Sequence, residues 1–194
     1  LIPLFHAFGA STNLLGTIKA AGTVYLVEKV DFPRLIPWPK ESQITYSGMV
    51  PMVYYGLIYH PSCKDLDLSS LQIAISGGAP LSMEIYERFC EKYRIPLYHG
   101  YGLTEASPVV SWNNMHAPNK PQTVGLPVPD VTIQIHDDDG KPLPAGVEGE
   151  VVVNGPNVML GYFGRPNETK TVIRNGWLYT GDIGSLDEDG YLTL

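Results

Sequence analysis

The chain has little of the chemistry that announces many protein classes. It holds only two cysteines, Cys63 and Cys90, without a CxxC or Cys/His spacing. That argues against a disulfide framework or a zinc module and for two reduced thiols in a cytosolic protein. No apolar run approaches the roughly 20 residues of a membrane-spanning helix. Positive charge is scarce too: 13 Lys and Arg stand against 20 Asp and Glu, giving a net charge of −7. The basic residues are scattered, so nucleic acid is not expected as a partner. Nucleotides stay open, because their sites rely on local backbone donors and a metal ion rather than on net charge. A Walker A loop, a Rossmann fingerprint, a GxSxG elbow and an HExxH helix are all missing, which removes the commonest nucleotide and hydrolase designs.

What is present is a fairly apolar globular chain of 194 residues, 44% hydrophobic and 17% charged, long enough to bury a real core. It opens "LIPLFHAFGA" and closes "DEDGYLTL", both in mid-pattern, and reads as an internal piece of a larger protein.

Residues 1–127 alternate helix-like and strand-like runs. Ser11 is placed to cap a helix carrying Leu14, Leu15, Ile18 and Ala21, with Gly22 as its stop. "TVYLV" (23–27) then reads as a buried strand, and "FPRLIPWPKES" (32–42) as a proline-rich connector. "PMVYYGLIY" (51–59) opens with a proline suited to a first helical turn. "LQIAI" (71–75) is a strand followed by "GGAP". Ser82 suits the cap of the next helix, with Ile85 and Phe89 on one face, Lys92 and Arg94 at its negative end, and Pro96 beyond. "IPLYH" is a further strand. Such alternation implies a mostly parallel sheet with covering helices.

From residue 128 the pattern changes. "VTIQIH" (131–136) puts Val131, Ile133 and Ile135 on one side, "GEVVVNG" (149–155) is a strand between glycines, and "WLYTGDIGSLDEDGYLTL" reads as strands joined by Asp-Gly turns. The fold expectation is therefore α/β over 1–127, followed by a β-rich distorted barrel over 128–194. The acidic groups Asp137–Asp139 and Asp187–Asp189 invite a calcium reading. Turns are the better account, because an EF-hand loop ends in a bidentate glutamate.

Four stretches have ligand-binding character. "SGGAP" (76–80) follows a strand of the presumed parallel sheet, where ligands of open α/β folds sit. In "LYHGYGLTEASP" (97–108), Gly100 and Gly102 bracket Tyr101, whose ring is free to stack on something planar. Thr104 offers a hydroxyl and Glu105 hard oxygens suited to Mg²⁺. In "WLYTGDIG" (177–184), Asp182 is placed to accept both hydroxyls of a ribose, or is simply a turn residue. "PLFHAFG" (3–9) holds His6 among apolar neighbours, where a packed histidine is the commoner outcome.

In this order, "PLFHAFG", "SGGAPLS", "YGLTEASP", "GEVVVNGPNVMLGY" and "GWLYTGDIG" resemble the successive motifs of the adenylate-forming (AMP-binding) superfamily. Within it, the chain resembles medium- and long-chain fatty acyl-CoA synthetases. The resemblance implies that ATP, Mg²⁺ and coenzyme A are used to convert a carboxylic acid to an acyl-adenylate and then a thioester. It implies that Tyr101 stacks on adenine, with Gly78, Ala79 and Pro80 lining the other side and His99, Gly100 and Gly102 framing the ring's edge. Thr104 would meet the α-phosphate, Glu105 would hold the metal and Asp182 the ribose. His6 would orient or gate the acid and thiol. Gly149, Glu150, Gly155, Gly161 and Tyr162 match a motif expected to be mainly structural.

The phosphate loop, hinge and lysine-bearing C-terminal domain of the superfamily fall outside this chain, so the piece alone is expected to be inactive. "DFPRLIPWPKESQ" (31–43) and "SGMVPMVYY" (47–55) depart from the usual pattern near the acyl pocket and leave chain length open. Aryl-CoA ligases and luciferase-like enzymes share nearly the same motifs, and a non-catalytic nucleotide-binding module is the alternative of a different class. The expected location is cytoplasmic, with peripheral membrane contact and oligomeric state left open.

Overall fold

The alternating patterns of the first half become a parallel sheet. Strand β1 (Tyr46–Met49) lies parallel to β2 (Ile73–Ser76), with Tyr46 opposite Ile73 and Met49 opposite Ser76. β2 pairs in parallel with the start of β3 (Leu97–Gly102), Ala74 facing Leu97 and Ser76 facing His99. Parallel neighbours need crossovers, and helices Pro51–Tyr59 and Met83–Tyr93 supply them. The structure is a computed structural model that describes residues 2–28, 31–35 and 38–194. It comprises two compact units, Leu1–His99 and Gly100–Leu194.

Local chemistry sets the helix ends in the first unit. Pro51 occupies the first turn, where a missing amide costs nothing. The Ser82 hydroxyl accepts the Ile85 amide at 3.3 Å, and Arg94 closes the second helix in left-handed backbone at φ 57°. Lys92 does more than favour its own helix end. Its ammonium donates to the carbonyls of Leu57 (2.9 Å), Ile58 (3.2 Å) and Cys63 (3.0 Å), closing the end of the Pro51–Tyr59 helix from across the interface. Tyr54, Phe89 and Leu97 are fully buried in the core between sheet and helices, and the Tyr54 hydroxyl donates to the Ile75 carbonyl at 2.9 Å.

Two expectations for the first unit are corrected. Residues 23–27 form no strand, and Tyr25 and Leu26 are exposed. An apolar run becomes a strand only against a neighbouring backbone that takes up its amides and carbonyls, and among the described residues none pairs with it. The helix expected from Ser11 starts earlier. It runs over Gly9–Leu15 in π register and Gly16–Lys19 in α register, so Ser11 is internal. Leu15 and Ile18 on it are exposed, and Ala21 rather than Gly22 takes the left-handed conformation at its end. The proline-rich connector holds two one-turn helices, Phe32–Leu35 and Trp38–Glu41, with residues 36 and 37 outside the described set.

In the second unit, the end of β3 runs antiparallel to β4 (Val109–Trp112), which pairs with β5 (Leu126–Pro127). The β-rich, barrel-like part expected from residue 128 is present as a bulged antiparallel sheet. It contains β6 (Thr132–His136), β7 (Gly149–Asn154), β9 (Trp177–Leu186) and β10 (Leu192–Thr193), with β8 (Ile173–Arg174) also against β9. Val131, Ile133 and Ile135 are buried as their alternation predicts, and they pack with Val151, Val153, Leu178 and Leu192. Ala106, Val110 and Val124 join the same core. That is why packing divides the chain at residue 100, while residue 128 marks only the change of pattern. Both acidic groups are turns: Asp137 accepts the amides of Asp139 and Lys141, and Asp187 those of Asp189 and Tyr191. Among the described residues, no helix is long and apolar enough to cross a membrane.

Candidate active site

Two bulges in the second unit bring the main candidates together. The β3–β4 register shifts between Tyr101 and Gly102. The β7–β9 register shifts between Glu150 and Val152, so residues 180–182 leave the ladder. Tyr101 and Asp182 thereby meet, the phenol hydroxyl donating to Asp182 Oδ2 at 2.5 Å. Burial, together with this bond, pushes the Tyr101 hydroxyl well above the usual phenol range, and the Glu105 charge adds to the effect. A side chain at Gly102 would place its Cβ 1.9 Å from the Pro108 carbonyl oxygen, so only glycine lets the strand end pass there.

The Thr180–Asp182 turn is held from β7. The Glu150 carboxylate accepts the Gly181 amide at 2.9 Å, and the Thr180 hydroxyl donates to the Val151 carbonyl at 2.8 Å while accepting the Asp182 amide at 3.1 Å. Gly181 sits at φ 78°, a conformation that suits glycine. Asp182 itself is exposed, its carboxylate anchored to Tyr101 and open to solvent.

Thr104 and Glu105 lie on a 3-10 turn, Thr104–Ala106, directly after β3. Thr104 is exposed and Glu105 half-buried. The Tyr162 hydroxyl donates to Glu105 Oε1 at 2.8 Å, and that bond raises the Tyr162 hydroxyl above its ordinary range. The main chain is gripped as well. Met159 donates its amide to the Glu105 carbonyl at 2.8 Å, and the Asn157 amide group donates to the carbonyls of Ala106 (3.0 Å) and Val109 (2.9 Å). Sequence reasoning missed these partners. Tyr162 and Glu150 stood in a recognised motif, but nothing in the pattern showed that the motif holds both "YGLTE" and "TGD".

Gly100 pairs with Trp112 on β4 in the second unit, and the remaining candidates belong to the first. Gly78, Ala79 and Pro80 follow β2 and are exposed. His99 is buried at the end of the parallel ladder. Burial lowers its pKa, partly offset by its ring's hydrogen bond to the Ala79 backbone. His6 is exposed rather than packed, because it precedes the first helix and turns its Nδ1 to accept the Phe8 amide at 3.2 Å. The same unit contains a largely apolar cavity of about 1090 Å³. Phe5, Leu26, Phe32, Met49 and Leu57 are among its lining residues. Among the described residues, no group of three His, Cys, Asp or Glu side chains could hold a metal ion by itself.

The profile of the AMP-binding enzyme family matches residues 1–163. The chain belongs to this family. It is 37% identical over its whole length to a long-chain-fatty-acid–CoA ligase of Bacillus subtilis (strain 168), covering 35% of that protein. It is 36% identical, over 97% of its length, to a feruloyl-CoA synthase of an Amycolatopsis species, covering 38% of it. Among solved structures, ATP-bound MatB from Rhodopseudomonas palustris superposes with a TM-score of 0.92 at 30% identity, over 99% of this chain and 38% of that one. The chain thus spans little more than a third of the relatives it matches, and its α/β and bulged β parts are those of an adenylate-forming N-terminal domain.

Proposed function

We propose that the protein to which this chain belongs activates a carboxylic acid with ATP and transfers the acyl group to coenzyme A. The observation that carries this reading is the Tyr101–Asp182 pair, an aromatic ring hydrogen-bonded to a carboxylate, with Tyr101 on the strand that leads into the turn bearing Glu105. In this reading, an oxygen of the acid's carboxylate bonds to the α-phosphorus as the bond from that phosphorus to pyrophosphate breaks. The thiolate of coenzyme A then bonds the acyl carbon, and AMP leaves. The substrate brings its own nucleophile, so the protein supplies alignment and fixed charge.

The ring of Tyr101 stacks on adenine, and the open face of Asp182 accepts ribose hydroxyls. Thr104 donates to the α-phosphate. By the resemblance, Gly78, Ala79, Pro80 and His99 are assigned to the base and His6 to the acid or the thiol. Glu105 fits Mg²⁺ carried in on ATP: it offers a hard oxygen, while such an ion draws its other ligands from phosphate and water. When bound, the ion neutralises phosphate charge.

The acid is a fatty acid in this reading. The apolar cavity of the first unit supports it, since its wall includes residues of segments 31–43 and 47–55, which the resemblance places near the acyl chain. The feruloyl-CoA synthase relative, nearly as similar as the fatty-acid ligase, favours an aryl acid as the second reading. Pyrophosphate release by the full-length protein, over straight-chain acids of graded length and cinnamate-type aryl acids, separates the two. A clear maximum among alkyl acids supports the first, and a preference for aryl acids the second.

A further inference from the structure

Tyr162 stands in the motif that the sequence marks as mainly structural, yet its surroundings are not those of a residue that stabilises the fold. Its neighbours Leu160 and Phe163 are fully exposed, and Tyr162 is itself on the surface. A loop that served the core would bury those side chains. Apart from Val158, which packs on the core, its anchors are hydrogen bonds, and several lead to the Thr104–Ala106 turn. Asn157 and Met159 grip that turn's main chain, and Tyr162 reaches the one carboxylate on it.

The Tyr162 backbone is fixed in turn. Its amide donates to Thr169 Oγ1 at 2.9 Å, its carbonyl accepts the Arg165 amide at 3.0 Å, and Thr169 donates to the Arg165 carbonyl at 2.9 Å. The phenol is therefore a donor on an anchored backbone, aimed at a flexible acidic side chain. Glutamate has several rotamers, and holding one of them costs entropy. A donor on Oε1 removes much of that cost before any ligand arrives. Among the described residues, the hydrogen bond from Tyr162 goes to Oε1 and none is made to Oε2.

We infer that Tyr162 is a positioning residue: its hydroxyl holds the Glu105 carboxylate in the orientation that receives a nucleotide-borne divalent cation. The inference rests on the reading of Glu105 as the metal carboxylate given above. Groups that hydrogen-bond a metal-binding side chain orient it and tune the site, and their loss typically costs about 10–100-fold in metal affinity. With a single protein carboxylate and the remaining ligands from phosphate and water, the low end of that range is expected here.

The test uses the full-length protein with Tyr162→Phe, which keeps the ring and removes only the donor, and with Glu105→Gln beside it. Mn²⁺ affinity is measured by electron paramagnetic resonance in the presence of a non-hydrolysable ATP analogue. Binding of the analogue without metal and the Tm are measured alongside. Tyr162→Phe is expected to weaken Mn²⁺ binding about tenfold, with metal-free analogue binding and Tm unchanged. In steady state it raises the Mg²⁺ concentration needed for half-maximal rate, while kcat at saturating Mg²⁺ recovers. Wild-type Mn²⁺ affinity in Tyr162→Phe, with Glu105→Gln impaired, overturns the inference and leaves the reading of Glu105 standing. Wild-type affinity in Glu105→Gln overturns that reading and the inference with it. A lowered Tm in Tyr162→Phe with unchanged metal affinity returns Tyr162 to a structural role.

Discussion

The hydroxyl of Tyr101 donates to the carboxylate of Asp182, although the two residues lie on β3 and β9, Tyr101 as the last paired residue before a register shift and Asp182 within a bulge. The residue proposed to stack on the base and the residue proposed to take the sugar are thus one hydrogen-bonded unit. One carboxylate oxygen accepts the tyrosine hydroxyl, and among the described residues no hydrogen bond is made to the other.

That pairing makes Tyr101→Phe informative. The ring survives and only the bond is lost. The KM for ATP of the full-length enzyme is expected to rise about three- to tenfold, the equivalent of roughly 1 kcal/mol for one net hydrogen bond. Asp182→Ala should cost more. The double variant should cost less than the sum of the two, because the residues are in contact. Additive effects in this cycle would show that Tyr101 and Asp182 act independently.

Glu150 never faces a ligand in this account, yet it accepts the Gly181 amide and so shapes the turn that carries Asp182. Glu150→Ala should raise the KM for ATP several-fold and leave the KM for the acid unchanged. Parallel initial-rate measurements in the two substrates check this. Equal changes in both constants would point to general loosening of the second unit.

Burial of His99 sets a pH dependence of stability. Its folded-state pKa lies below the ordinary 6.5, so the unfolded chain takes up the proton first as pH falls. The stability associated with neutral His99 is complete above about pH 6.5 and is lost as pH drops from there through the folded-state value. Chemical denaturation of wild type and His99→Gln between pH 7.5 and 5 tests it. The variant's stability should fall less over that range, and parallel profiles would remove His99 as the cause.

Much of the fold was legible because its signals are local. Pro51 and Ser82 start helices where their backbone chemistry says they should, Asp187 closes a turn through its own carboxylate, and Val131, Ile133 and Ile135 alternate into a core. Residues 23–27 misled for the opposite reason, since a strand is a relation to a neighbour and an apolar run carries no record of whether one is present. The site follows the same division. Tyr101, Glu105 and Asp182 could be named from residue type and motif. Their contacts could not, because bulges on β3 and β9 decide them and a bulge leaves little trace in composition. Tyr162 was visible only as part of a pattern, since its meaning lies in a bond to Glu105 across a distant stretch of chain.

In the proposed reaction, Glu105 serves a displacement at the α-phosphate of ATP. Its most direct test is to incubate the full-length protein, wild type and Glu105→Gln, with α-labelled ATP, Mg²⁺ and a fatty acid, and to separate the labelled products. The account predicts labelled acyl-adenylate and AMP with wild type, and a rate lower by about 10²–10³-fold with the variant, the scale expected when one preorganised charge-stabilising group is lost. Labelled ADP in place of AMP, or an unimpaired variant at limiting and saturating Mg²⁺, would contradict it.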